Sequence, residues 1–303
     1  MPDTHPPIEQ KKESAEELTE KLPSKAAAVH EIIRKEGEKE MRRDFFALFW
    51  SAIAGGLIMS TSMLGRGVLQ AYVPDVPWAV LIEAAGYTLG FIFVITAGQQ
   101  LFTENTVTPV LPFMSQPTWG KLMRLLRLWG TVLLGNFLGG LIAASVFAYL
   151  PMFSPEVNKE FVDMGHHLLK VPNGQSFATA VLAGWLIALL VWMIHAVENG
   201  RVLLIFLVTY LMGISDVSHV VVGMIEVTYL VLLGEATIGD SLLNFVLPTL
   251  VGNIVGGTFI FALISHAQVR ADANLDVQQK EDEEDRLEAK LKAKEEGRLP
   301  AES

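Results

Sequence analysis

The chain has 303 residues, no cysteine, a net charge of −10 and 51% hydrophobic residues. Its charges are unevenly placed: residues 45–266 hold 18 of them, about 8% of that stretch, whereas 1–44 and 267–303 together hold 38 in 81 residues. That split excludes an ordinary soluble domain, the acidic balance argues against nucleic acid as a partner, and the missing cysteines exclude disulfides, thiolate catalysis and cysteine-ligated metals.

Residues 1–25, rich in Pro, Glu and Lys, are expected to be disordered, and with no apolar stretch of leader length the first 44 residues read as a retained cytoplasmic tail. From Ala26 to Arg43 the sequence favours a helix with an apolar patch at Val29, Ile32 and Ile33. That helix either lies on the membrane or the domain, or is a solvated charged helix.

Six apolar spans follow: Phe45 to about Gln70, Trp78 to Met114, Leu122 to Leu150, Phe177 to Val197, Val202 to Leu233, and Leu242 to His266. A polar segment, 151–175, separates the third from the fourth. A helix of about 20 residues crosses a bilayer, so the second and fifth are too long for one crossing. Both carry polar residues partway, Thr103-Glu104-Asn105 and Ser215-Asp216 with Ser218-His219, and Pro109 and Pro112 interrupt the second. Backbone cannot abandon its hydrogen bonds facing lipid, so these read as broken helices lining a buried path. Lys and Arg crowd the ends before the first span, between the second and third, and after the fourth and sixth, which places both termini in the cytoplasm. The tail at 267–303 is expected to be charged, cytoplasmic and helical from about Val277 to Arg298.

The pattern GNxxGG occurs at Gly135–Gly140 and again 117 residues later at Gly252–Gly257. It falls at matching places in two three-span halves, each with a broken middle helix. Because three is odd, the halves enter the membrane from opposite sides, an inverted repeat with its site expected near the midplane. The glycines also let helices approach closely. The fold class is therefore an all-α membrane protein of six transmembrane helices, with aquaporin-like inverted repeats.

Ionisable groups at depth mark function by default. His219 opens the second half of the fifth span and can offer a hydrogen bond or a proton to a passing solute; the bland alternative is a structural cap. Thr103 can orient it. Phe102, with Tyr87 or Phe91, can form an apolar constriction, although packing alone also accounts for aromatic residues. Glu104 and Asp216 add negative charge beside the breaks, Glu104 possessing a second option as a cap on the short helix near Thr106. Lys170, near His166 and His167, either concentrates anions at a pore mouth or is a surface lysine. His5, His30, His195 and His266 sit at span ends or in tails and are expected to be solvated. No GxSxG, HExxH, phosphate-binding loop or dinucleotide motif occurs, so the reading is a non-enzyme without cofactor.

The LFTENTVTPVLP break, the SHVVVGMIEV segment and the final LPTLVGNIVGGTFIFALISHAQ resemble the formate/nitrite transporter family over about residues 40–270. The resemblance implies an aquaporin-like fold and a homopentamer in a bacterial inner membrane, with one pore per protomer. It implies small monovalent anions or their weak acids as cargo, His219 as the central histidine and Thr103 as the break threonine. It sets Phe102, Phe91, Tyr87 and Met212 at the constrictions and Lys170 near the vestibule lysine. Gly184 stands where the family pattern has an asparagine. A neutral-solute channel, without the paired NPA motifs of aquaporins, and a membrane scaffold or sensor with a vestigial pore are the other classes the sequence permits.

Overall fold

A computed structural model of the chain describes residues 22 and 24–295. The expectations for 1–21 and for the final residues from 296 lie outside them. Among the described residues every regular element is helical. Helix α1 (Lys25–Arg42) leads to α2 (Phe45–Tyr72), α3 (Ala79–Thr96), a single tight turn at Glu104–Thr106, α4 (Val110–Ser115) and α5 (Trp119–Tyr149). Then come α6 (Pro155–Lys170), α7 (Asn173–Ala196), α8 (Arg201–Ile214) and α9 (Val220–Leu233). The last stretch winds continuously through α10 (Ile238–Ser241), α11 (Leu247–Ile254) and α12 (Leu263–Glu295), joined by the wide turns Leu242–Val246 and Val255–Ala262.

Local chemistry sets these boundaries. Ser24 caps α1 by accepting from Ala27 N (3.2 Å), and Asp44 caps α2 by accepting from Phe46 N and Ala47 N (2.9 and 3.2 Å). Ser154 caps α6, whose first residue is a proline that has no N–H to orphan. Gly234 ends α9 at φ +77°, a left-handed conformation that costs glycine no Cβ clash. Pro248 cannot donate to a carbonyl one turn back, and the wide turn sits immediately before it.

Among the described residues five helices are long and apolar enough to cross a membrane: α2, α3, α5, α7 and the helix running from Ile238; α8 and α9 are apolar but shorter. Helix α2 packs on α5 and α3, and α7 packs on α11 and the wide turn after it. The two groups meet where α3 lies on α8 and α5 on α9. Two boundaries differ from expectation. The final helix does not stop near His266 but continues to Glu295, because no proline or glycine falls between those two residues. The polar segment after α5 is itself mostly helix, α6, packed on α2 and α9.

Helix α1 packs into the protein through Ala27, Ala28, Val29, Ile33, Gly37 and Met41. Gly37 lies so close to α4 that a Cβ there would sit 2.0 Å from the Thr108 carbonyl oxygen. This contact corrects the expectation of solvated histidines. His30, 5% exposed, pairs with His266 (Nε2 to Nδ1, 3.0 Å), and Ser24 Oγ donates to Asp272 on α12 (3.1 Å). His195 sits between the Val191 carbonyl and the Glu36 carboxylate, both at 2.6 Å. His5 lies outside the described residues.

Candidate functional site

The site forms where two interrupted helices face each other. Helix α3 stops at Thr96, Gly98 turns the chain at φ +63°, and Leu101–Thr103 runs without regular structure into the tight turn and α4. Helix α8 stops at Ile214, and the chain passes through Asp216 to His219 before α9 begins.

Each interruption leaves backbone groups that no helix satisfies, and one buried asparagine holds each of them. Asn136 Oδ1 accepts from Phe102 N (2.9 Å), while its Nδ2 donates to the carbonyls of Gln100 and Ala52 (2.8 Å each). Asn253 repeats the pattern: Oδ1 accepts from Val220 N (3.0 Å), and Nδ2 donates to the carbonyls of Ser218 (3.1 Å) and Ala180 (2.8 Å). Three bonds from one side chain to two helices are possible because an amide carries both donors and acceptors. These are the asparagines of the two GNxxGG motifs. Sequence reasoning weighed the motif's glycines for packing and missed the asparagines; their recurrence at one spacing was the available signal.

Between the clamps, His219 caps α9. Val222 N–H donates to its Nδ1 (3.4 Å), and its Nε2 lies 2.8 Å from Thr103 Oγ1. With Nδ1 accepting, the ring proton sits on Nε2 and donates to the threonine oxygen, which leaves the threonine's own hydrogen free to turn elsewhere. Phe91 meets the imidazole edge-on, centroids 4.9 Å apart, and Tyr87 packs on Phe91 at 5.4 Å. His219, Thr103, Phe91, Tyr87, Phe102 and Met212 are all buried. Phe102 rests edge-on against Trp129, and the Met212 carbonyl accepts from Val217 N (3.3 Å).

The remaining expected residues lie elsewhere. Glu104 is not a helix cap: α4 follows Pro109 without a side-chain cap, and Glu104 Oε1 is buried with no hydrogen-bond partner among the described residues. Its residue borders a cavity of about 480 Å³ beneath α1, shared with Glu36, Glu40, Gln100, His195 and Arg201. Asp216 is not at depth. Its side chain is 46% exposed, with His167 Nε2 at 2.7 Å and Arg66 at 3.4 Å, and its φ of +47° is a left-handed conformation that aspartate tolerates. Hydrogen bonding to Asp216 raises the His167 pKa above its ordinary value. Lys170 is exposed at the end of α6 and makes no hydrogen bond or ion pair with a described residue. A second cavity, about 410 Å³, opens beside His167, Asp216 and Arg66, with Glu226 on its wall. Gly184 has no room for a side chain, since a Cβ would lie 2.2 Å from the Asn253 carbonyl oxygen. Gly56 meets the Asn136 carbonyl in the same way at 2.1 Å, so position 184 is a helix crossing.

Helices α3 and α8 thus end beside a buried polar pair, Thr103 and His219, inside a protein built of long apolar helices. The formate/nitrite transporter family model matches residues 27–267, and the chain belongs to that family. It is 52% identical over 253 residues to the inner membrane protein YfdC of Escherichia coli (strain K12), covering 84% of this chain and 82% of that protein. The uncharacterized transporter YrhG of Bacillus subtilis (strain 168) is 28% identical over 189 residues, 61% of this chain and 70% of that one. A pentameric formate channel solved with formate bound shares the fold, with a TM-score of 0.65 at 21% identity, over 75% of this chain and 98% of that one.

Proposed function

We propose that this chain is a membrane channel for small monovalent anions and their conjugate weak acids, of the formate and nitrite class, with passage linked to a proton at His219. The reading takes six spans in two inverted three-helix halves, α2 to α5 and α7 to α11, with the second and fifth spans broken. It divides the chain into a transport domain at 45–266 and cytoplasmic charged segments at 1–44 and 267–303. It places both termini in the cytoplasm of a bacterium and five copies around an axis, each with its own path. Membership of the family and the shared fold with a pentameric formate channel support it.

The observation that carries the reading is the His219–Thr103 pair. It is a buried donor–acceptor pair at the junction of both breaks, with Phe91 edge-on against the imidazole and Tyr87 packed on Phe91. An anion stripped of water among such groups pays a large desolvation cost, whereas its neutral acid pays far less. A proton passed from or through His219 removes that cost at this buried pair. Arg66, with Lys170 exposed about one turn beyond His167, draws anions toward the mouth, while Glu104 and Asp216 modulate the field there.

Formate or nitrite flux in proteoliposomes tests this. His219→Asn is expected to lower flux by tenfold or more and to flatten its dependence on pH. Wild-type flux in the variant at every pH overturns the histidine's role.

A further inference from the structure

The cavity beside α6 is edged by an ion pair that joins three elements. Asp216, in the second break, sets Oδ2 at 2.7 Å from His167 Nε2 on α6 and Oδ1 at 3.4 Å from an Arg66 guanidinium nitrogen on α2. All three residues line the cavity of about 410 Å³. The other carboxyl groups on its wall bond neither cation. Glu160 and Asp163 pair with Lys159 (3.3 and 2.6 Å), and Glu226 makes no hydrogen bond or ion pair with a described residue.

This contact does not hold the break together. An aspartate that supports a turn accepts from backbone N–H groups just after it. Here those groups have other partners: Val217 N donates to the Met212 carbonyl (3.3 Å), Val220 N to Asn253 Oδ1 (3.0 Å) and Val222 N to His219 Nδ1 (3.4 Å). The Asp216 side chain instead reaches away from its own segment, 46% exposed, from a backbone at φ +47° that is sterically costly for any residue with a Cβ.

What Asp216 presents to the two cations is a pair of oxygens on one carbon. Formate carries the same group with a hydrogen in place of the Cβ, and nitrite carries two oxygens on nitrogen. Either can replace the Asp216 carboxylate between the guanidinium and the imidazole N–H, with charge-assisted hydrogen bonds to both. The cavity alongside has room for the anion and several waters. The exchange keeps the charges balanced: one carboxylate leaves for the solvent it already half faces, and another anion takes its place.

We infer that Arg66 and His167 form a binding site for a small anion with two oxygens on one atom, and that Asp216 is a tethered occupant competing for it. Asp216 stands three positions before His219, so the exchange takes place at the entrance to the break. The inference deepens the transport reading and rests on it for the choice of anion. It also gives the negative charge beside the pore a task, since only an anion able to displace Asp216 gains the site.

The test uses the full-length protein at constant pH, as wild type, Asp216→Asn, Asp216→Gly and Arg66→Gln. Occupancy by formate is read in detergent from the NMR resonance of the His167 ring, identified by its loss in His167→Gln. Transport is read separately, as formate flux in proteoliposomes. Asparagine tolerates the left-handed backbone and glycine adopts it freely, so either variant answers the question if the other does not assemble. A tethered competitor acts at an effective concentration of roughly millimolar or more, so its removal should lower the formate concentration at half-maximal shift, and at half-maximal flux, by about tenfold. Arg66→Gln removes one of the two charges and should raise both midpoints by about threefold or more. Midpoints unchanged in Asp216→Asn and Asp216→Gly overturn the competition. A His167 resonance that ignores formate in both, with flux intact, overturns the site and leaves the transport reading standing. A formate-dependent shift without flux in any of the proteins overturns the transport reading and leaves the site standing, and the absence of both overturns both.

Discussion

At the scale of single residues, the site depends on hydrogen bonds that have no substitute. Thr103 gives His219 Nε2 its only described partner. Thr103→Val keeps the shape and leaves a buried ring N–H unsatisfied, which costs about 1–3 kcal/mol. Thermal unfolding in detergent should show that loss, and Thr103→Ser should recover most of it. If Thr103→Val unfolds like wild type, the threonine does not satisfy the ring. At the surface, His167 titrates above its ordinary value because it bonds Asp216. Its stabilising effect is complete below the unfolded pKa of about 6.5 and fades as pH rises through the folded value. The pair is exposed, so that effect is a few tenths of a kcal/mol. Asp216→Asn should return His167 toward its ordinary value in an NMR titration, and an unmoved curve would assign the shift to something other than this contact.

At the scale of elements, the two interruptions are legible in the sequence and their supports are not. Polar residues and prolines inside overlong apolar runs locate the breaks at Thr103 and His219. The clamps by Asn136 and Asn253 join residues 33 to 84 positions apart, and such distances leave no local periodicity. Helix α1 teaches the same lesson. Its apolar patch is visible in the sequence, but not that His30 would find His266, or Glu36 find His195, from 236 and 159 residues away. That docking is sensitive to pH. Burial, with His266 beside it, pushes the His30 pKa down to about 4. The undocked helix binds a proton more readily than the docked one, so docking is strongest above about pH 6.5 and weakens as pH falls toward 4. Hydrogen-exchange protection along α1, corrected for the intrinsic rate at each pH, should fall as pH drops across that interval in wild type. His30→Gln, which cannot titrate, should flatten the change, and an equally steep change in the variant would place the sensitivity elsewhere.

At the scale of the whole molecule, the uneven charge is the feature that orders everything else. The proposed transport domain and the proposed direction, from the Lys and Arg bias, both rest on it, and neither follows from helix packing, since a helix bundle looks the same from either side of a bilayer. Lys170 shows where such reading stops: a lysine near a pore mouth and a lysine at an exposed helix end have identical sequence signatures, and only three-dimensional placement separates them. Gly184 shows the same limit, for its demand comes from the backbone of Asn253, 69 positions on. Direction can be measured because the chain has no cysteine, so a single introduced thiol reports its own side without a cleaned background. Ser14→Cys and Ser303→Cys should resist a membrane-impermeant maleimide in intact cells and react after lysis, whereas Lys159→Cys, exposed on α6, should react in both. The basic clusters before α2 and between α4 and α5 must then share the compartment of both ends. Labelling of Ser14→Cys and Ser303→Cys in intact cells would reverse the assignment and turn the cavity beside α6 toward the cytoplasm. Labelling of only one of them would break the even number of spans that two inverted halves require.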